Sequence, residues 1–314
     1  MAGNELVVIV GPTAVGKTEI AIEVAKKLDA EIISADSMQV YRYMDIGTAK
    51  PSREEQKGIK HHMIDVIDPD EEFSVADYQT MAKKCIEAIH NHGKTPILSG
   101  GTGLYVNAVC YNYTFSEFDK DEALRRQLKK QAEEYGNDFL YNKLKKFDPQ
   151  AAEKIHPNNL RRVIRALEVC IKTGKPFSYY EEMTKKQKSP YNLIMFGLTR
   201  PREELYRRIN ERVVMMIKSG LVEEVKKLLD MGYSRELNSM QALGYRQIID
   251  YLDGKISLEE AVYLIARDTR RYAKRQYTWF LRDKNIIWLD VSKEGKKKII
   301  ENIIKTVEGK LKNS

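Results

Sequence analysis

The stretch GPTAVGKT, residues 11–18, follows directly on the apolar run LVVIV of residues 6–10. No other segment constrains the fold as much. The spacing G-x-x-x-x-G-K-[ST] is met by Gly11, Gly16, Lys17 and Thr18, with Pro12, Thr13, Ala14 and Val15 between the glycines. Glycine lets the backbone wrap until its N–H groups converge on phosphate oxygens, and a following helix adds its positive end. Lys17 contributes a mobile charge and Thr18 a hydroxyl suited to Mg²⁺. Such a loop works only between a buried strand and a helix, which sets the start of the chain as a phosphate loop in an α/β fold. It specifies phosphate, not a reaction.

The hydrophobic pattern continues that architecture. Thr18 to Leu28 is expected to be helical, EIISAD (31–36) a second strand, and Met63 to Ile67 a third. Phe73 to His90 reads as a helix capped by Ser74, and Thr95 to Ser99 as a short strand before the turn Gly100-Gly101-Thr102-Gly103. Strands separated by helices imply a parallel sheet flanked by helices. From Lys120 to Thr184 the sequence gives charged helices and no strand, broken near Gly136, Pro149, Pro157 and Gly174. NLIMFGL (192–198) then returns as a strand. Helices are expected at 201–218, 221–231, 239–252 and 258–282, with a last strand at 286–289 and a closing helix. The domain reading is therefore a catalytic core of residues 1–112 plus 192–314, interrupted by an all-helical insertion at 113–191.

Charge is unevenly spread. The 314 residues carry a net charge of +8, yet residues 1–110 hold 11 Lys/Arg against 16 Asp/Glu. The remainder is strongly basic, which suits a polyanion and equally suits a solvated surface. No apolar run approaches the ~20 residues of a membrane span, so no membrane partner is expected. The start MAGNEL has neither a basic leader nor an Arg-rich transit stretch, and a cytoplasmic, monomeric protein is the expectation. Three scattered cysteines, Cys85, Cys110 and Cys170, make neither a disulfide framework nor a zinc site.

Other groups carry chemistry. A nucleotide hydrolase ends a strand in an Asp that helps hold Mg²⁺. TPILSGG (95–101) ends without one, whereas EIISAD ends in Asp36. Read from spacing, Asp36 is a metal ligand, a base near the phosphates, or a turn cap. In ARDTRRYAKRQYTWFLR (266–282), Arg267, Arg270, Arg271, Lys274 and Arg275 share one helical face, with Tyr272, Tyr277, Trp279 and Phe280 interleaved. Cations with aromatics suit a nucleic-acid backbone carrying an exposed base, or a solvated stripe whose aromatics pack inward. Arg161, Arg162 and Arg165 form a second cluster, with Glu168 in reach as an ion-pair partner. MQALGYR (240–246) supplies Arg246 and a Gly244 that hints at close backbone approach.

Together GPTAVGKT, SADSMQVYRYMDIGTAKP, HHMIDVIDP, FSVADY, ILSGGTGLY, RRVIRALE, MQALGYRQ and YAKRQYTW resemble the tRNA dimethylallyltransferase (isopentenyl-tRNA transferase) family. The matches run from residue 11 to about 282. Departures are Tyr43 in place of a small residue, Asn159 in place of an acid, Arg161 in place of glutamine, and one extra residue after Thr278-Trp279.

The resemblance implies transfer of a dimethylallyl group from dimethylallyl diphosphate to N6 of adenosine 37, in tRNAs that read codons beginning with U. It implies that residues 11–18 grip the leaving diphosphate with Mg²⁺ at Thr18, and that Arg125 and Arg212 clamp the same anion. Asp36 becomes the base and Thr102 a hydrogen-bonding group at the reacting centre. Asp36, Ser37, Met38 and Gln39 line the base pocket, with Gln39 reading the adenine edge. Arg161, Arg162, Arg165, Arg246, Lys274 and Arg275 contact the anticodon stem-loop, which makes the insertion a tRNA-binding domain. Rival readings are an adenylate prenyltransferase acting on free nucleotides, a P-loop small-molecule kinase, and a non-catalytic RNA-binding protein.

Overall fold

The computed structural model describes residues 4–115, 121–186 and 188–311. The residues behind the leaderless reading of the start, 1–3, and Lys120, at the start of the charged stretch, lie outside them. The chain forms two compact units, Met1–Cys110 with Pro190–Ser314, and Tyr111–Ser189.

In the first unit, β1 (Glu5–Val10) leads through the phosphate loop to α1 (Lys17–Lys27) and β2 (Ala30–Ala35). A long connection carries the short α2 (Arg53–Gln56) and β3 (His61–His62), followed by α3 (Val75–Asn91), β4 (Thr95–Gly100) and α4 (Gly103–Cys110). The second unit contains α5 (Glu122–Tyr135), α6 (Asn137–Phe147), α7 (Pro149–Lys154), α8 (Leu160–Thr173) and α9 (Phe177–Lys186). The chain then returns to the first unit with β5 (Asn192–Thr199), α10 (Arg202–Lys218), α11 (Leu221–Asp230), α12 (Tyr245–Leu252), α13 (Leu258–Phe280), β6 (Ile286–Asp290), α14 (Val291–Glu294) and α15 (Lys296–Leu311).

The six strands form one parallel sheet in the order β3-β2-β4-β1-β5-β6. A parallel sheet covered on both faces reads as unbroken apolar runs rather than alternation, and Leu6 through Val10 are all fully buried. Helices α1 and α15 pack on it through Ile20, Val24, Ile299, Ile303 and Val307. A second cluster joins α10–α13 to the segment after β2 through Val40, Met44, Val213, Leu221, Tyr245 and Ile265. The helical unit has its own core of Leu128, Leu140, Leu144, Ile155, Val163 and Leu167.

Two expectations fail locally. The strand expected at 63–67 does not form, because Met63 and Asp65 adopt left-handed φ of 62° and 54° and interrupt extended backbone. The third strand is the preceding pair His61–His62, and Ile67 makes only a lone bridge to Tyr41. The helix expected from 239 starts at Tyr245, because Gly244 turns the chain at φ 98°. A Cβ at Gly244 would meet nothing within 4 Å, so that glycine serves a turn and not a close approach. Ser74 caps α3 as expected, in a reciprocal box with Asp77. Among the described residues no helix is long and apolar enough to cross a membrane.

Candidate active site

Strands β1, β4 and β2 are neighbours, so their carboxyl ends bring together the phosphate loop, the turn at Gly101-Thr102, and Asp36. Ligands of parallel α/β sheets bind along this edge. A cleft of about 1220 Å³ opens there, lined among others by Thr13, Lys17, Thr18, Asp36, Arg212 and Gln276.

The loop is built for an anion. Gly16 caps α1 at φ 109° and no side chain satisfies the helix N-terminus, so the first-turn amides face outward with the helix's positive end. The loop carbonyls meet donors of the protein: Arg208 Nε donates to the Ala14 carbonyl at 2.8 Å and Arg200 Nε to that of Val15 at 2.9 Å. Lys17 Nζ donates to the Pro12 carbonyl at 2.8 Å. Three loop carbonyls are thus occupied by cations of the protein, which leaves the loop's N–H groups for an incoming anion.

Burial and the neighbouring Arg212 guanidinium pull the Lys17 ammonium down to about 7, partly offset by Asp36. Burial, and then Arg208, likewise push Arg212 below its ordinary value. Two crowded cations with little solvent are stabilised by an anion between them. On the other side, burial raises the Asp36 carboxyl above the usual carboxylate range, against hydrogen bonds from the Met38 and Gln39 amides and the charge of Lys17. Its Oδ1 accepts from Met38 N at 2.9 Å. A carboxylate with a raised pKa is a better base than a solvated one.

Thr102 sits beside Asp36. Its Oγ1 accepts from Ser37 N at 3.0 Å, and its own amide donates to the Ala35 carbonyl. Its side chain also hydrogen-bonds Tyr272, whose phenol is pushed to about 12 by burial and by Asp36. The structure thus brings together Gly11 to Thr18, Asp36, Ser37, Thr102 and Arg212. Met38 is half-buried and packs against the apolar cluster behind the cleft.

Gln39 differs from expectation. It lines the cleft, but its amide is engaged on both ends: Oε1 accepts from the Ser34 hydroxyl at 2.8 Å, and Nε2 donates to the Thr48 and Ala49 carbonyls at 3.4 and 3.3 Å. It fastens the wall of the cleft, a duty that competes with reading a base edge. Arg125 also departs from its expected role. It belongs to the helical unit, where Nε and Nη2 both donate to the buried Glu168 at 2.8 Å. The fork expected to clamp diphosphate is spent on that carboxylate. Burial favours the neutral Glu168, but Arg125, Arg165 and the Asp121 amide hold it below its ordinary value.

Gln276, in YAKRQYTW, is the site residue the sequence reading passed over. It accepts from Thr13 N at 2.8 Å through Oε1 and donates to the Gly101 carbonyl at 2.9 Å through Nε2. One amide thereby ties the phosphate loop to the turn after β4. The available signal was position: Gln276 falls on the buried stripe Ile265, Thr269, Ala273, Phe280 of α13, where a polar group must find partners.

The opposite stripe of α13, Arg271, Lys274, Arg275 and Thr278, is exposed. Arg267, Arg271 and Arg246 gather round Asp268 at 2.9, 3.5 and 2.9 Å, and Arg270 donates to Asn210 Oδ1. The Arg275 guanidinium lies 5.8 Å from the Tyr272 ring centre, at the cleft rim. In the helical unit Arg161 is exposed, Arg162 pairs with Glu181 at 3.3 Å, and Arg165 with Glu168 at 2.6 Å. For the tRNA partner that the resemblance implies, changing Arg275 to alanine is expected to weaken binding and lower the slope of log affinity against log salt by about one. Binding titrations at several salt concentrations measure it, and an unchanged slope assigns the stripe to solvent alone.

The IPP transferase family model matches residues 39–284. The chain belongs to the IPP transferase family. It is 54% identical over 301 residues to a tRNA dimethylallyltransferase of Acetivibrio thermocellus, covering 96% of each chain. It is 55% identical, with the same coverage, to one of Carboxydothermus hydrogenoformans. Among solved structures, a tRNA isopentenylpyrophosphate transferase of Bacillus halodurans shares 50% identity at a TM-score of 0.75, covering 99% of this chain and 97% of that one. A eukaryotic dimethylallyltransferase acting on tRNA shares 30% at 0.83, covering 99% and 80%. These likenesses span the family's fold from the phosphate loop through α13, so the cleft of this chain lies within the shared part.

Proposed function

We propose that this chain transfers a dimethylallyl group from dimethylallyl diphosphate to N6 of adenosine 37, in tRNAs reading codons that begin with U. The relatives' names and the motif resemblance support the substrate. The observation that carries the chemistry is a half-buried carboxylate, Asp36, lining the same cleft as the phosphate-loop Lys17 and Arg212.

An allylic C–O bond breaks when the negative charge growing on the diphosphate is stabilised. Lys17, Arg212 and the outward amides of the loop are placed to do this. The N6 lone pair of adenine is delocalised into the ring, and the nitrogen must shed a proton as its bond to carbon forms. Asp36 takes that proton. The new C–N bond replaces the C–O bond, the diphosphate leaves with the electron pair, and the proton ends on the carboxylate. Thr102 and Tyr272 fix the surroundings of the carboxylate. A stacked adenine cannot reach such a cleft, so the nucleotide is extruded from the loop.

Thr18, exposed at the start of α1, would hold Mg²⁺, an ion that binds through few protein oxygens beside phosphate. Among the described residues no cluster of three or more His, Cys, Asp or Glu would hold a metal independently, which suits an ion that arrives with the diphosphate. When bound, Mg²⁺ neutralises charge on the leaving diphosphate.

The strand β4 ends in Ser99-Gly100, and neither these nor the following Gly101 supplies a carboxylate, which disfavours a kinase. The test supplies radiolabelled prenyl donor with bulk tRNA, with AMP, and ATP in a third vessel. Label on tRNA alone is expected. Label on AMP would identify a free-nucleotide prenyltransferase, and ADP formation without isoprenoid on RNA would identify a kinase.

A further inference from the structure

The segment 44–50 forms one wall of the cleft through Asp45, Ile46, Thr48, Ala49 and Lys50. Its fold is held by a residue nearly 180 positions away. The amides of Asp45, Ile46 and Gly47 converge on the Glu224 carboxylate of α11, at 3.0, 2.8 and 3.2 Å. Three successive N–H groups pointing inward form an anion nest, and here the anion is a side chain of the protein. The Tyr245 hydroxyl adds a fourth hydrogen bond to Glu224 at 2.6 Å. Gly47 is glycine because a Cβ would come within 2.4 Å of the Tyr245 ring.

From this nest a continuous set of contacts leads to Asp36. The carbonyls of Thr48 and Ala49, next along the wall, accept from Gln39 Nε2, and Gln39 Oε1 accepts from Ser34 at the end of β2. Gln39 closes the turn that begins at Asp36, and the Met38 and Gln39 amides are the hydrogen bonds that hold the Asp36 carboxylate. We infer that Glu224 is a positioning residue for Asp36, acting through the wall segment 45–49 and Gln39. It is not among the residues that line the cleft. This rests on the prenyl-transfer reading, with Asp36 as base.

The inference has a signature that loss of general stability lacks. Amide hydrogen bonds favour the ionised carboxylate. If Glu224 loses its grip, the Met38 and Gln39 amides drift from Asp36 and its proton binds more tightly. The other titratable groups facing Asp36 are Lys17 of α1, Tyr78 of α3, Tyr105 of α4 and Tyr272 of α13. None is hydrogen-bonded to Glu224, so their influence on Asp36 stays as it was.

The experiment compares wild type with Glu224→Gln, which keeps the shape but presents an NH₂ to the converging amides. The expected result is a kcat lower by about tenfold, a donor KM within about twofold, and an acid limb of kcat moved to higher pH. Glu224→Ala is expected to recover part of its lost kcat when formate is added to refill the nest. Should Glu224→Gln not fold, Tyr245→Phe, which removes one of the four hydrogen bonds, is expected to show the same displaced acid limb with a smaller loss. An unmoved acid limb in the folded variant, or parallel loss of donor affinity, overturns the assignment. An inactive wild type on tRNA would instead overturn the parent reading.

Discussion

Asp36→Asn is expected to lower single-turnover prenyl transfer by about 10²–10⁴-fold, with tRNA affinity little changed. The amide keeps the shape of the carboxylate and the Met38 contact side but cannot accept the N6 proton. In the wild type the rate rises with pH as Asp36 loses its proton, and it levels off above the raised pKa that burial imposes. The same shift has a stability consequence. The carboxyl of the unfolded chain ionises at lower pH than that of the folded one, so folding is penalised progressively as pH rises through the interval between them. Above that interval the penalty is constant, and Asp36→Asn removes it. The variant is therefore expected to melt higher than wild type at neutral pH while turning over far more slowly. Unchanged turnover would remove Asp36 from the role of base.

Lys17→Ala is the second large effect. Loss of one charge-assisted contact to diphosphate is expected to weaken donor binding by about 10–100-fold. Loss of charge stabilisation as the C–O bond breaks is expected to lower turnover by about 10²–10³-fold. The ammonium of the free protein titrates at about 7, whereas an adjacent diphosphate favours its charged form. Donor binding at about pH 8 should therefore draw in up to one proton, and at pH 6, where Lys17 is already charged, almost none. Calorimetry in buffers of different ionisation enthalpy measures that uptake, and Lys17→Ala abolishes it. Normal donor affinity and rate in the variant would overturn the role of the loop.

Much of the candidate site's geometry was legible because its sequence signals are local. The phosphate loop announces itself through the spacing of Gly11, Gly16 and Lys17, and the buried run before it could only be an interior strand. Asp36 stood out as a carboxylate ending a strand, though spacing alone left its role open. What escaped depends on contacts distant in sequence. Gln276 lies 263 positions from Thr13, and only folding shows that they meet. Arg125 resembled a phosphate clamp, yet Glu168 on another helix takes its fork. Gln39 carried a motif's suggestion of base reading while its amide is used to hold the adjoining wall. The third strand was misplaced because left-handed residues at 63 and 65 carry no strong marker when the residues are Met and Asp.

Helix α13 runs 23 residues, about 34 Å, with Gln276 turned in toward the loop of residues 11–18 and Arg271, Lys274 and Arg275 turned out. These two faces share one rigid rod. Each residue added or removed within it rotates everything beyond by about 100°. A single-codon deletion between Arg271 and Gln276 would swing the amide off the loop, or the cations off their side. Between Arg271 and Gln276 the helix therefore tolerates a substitution far better than an insertion or a deletion.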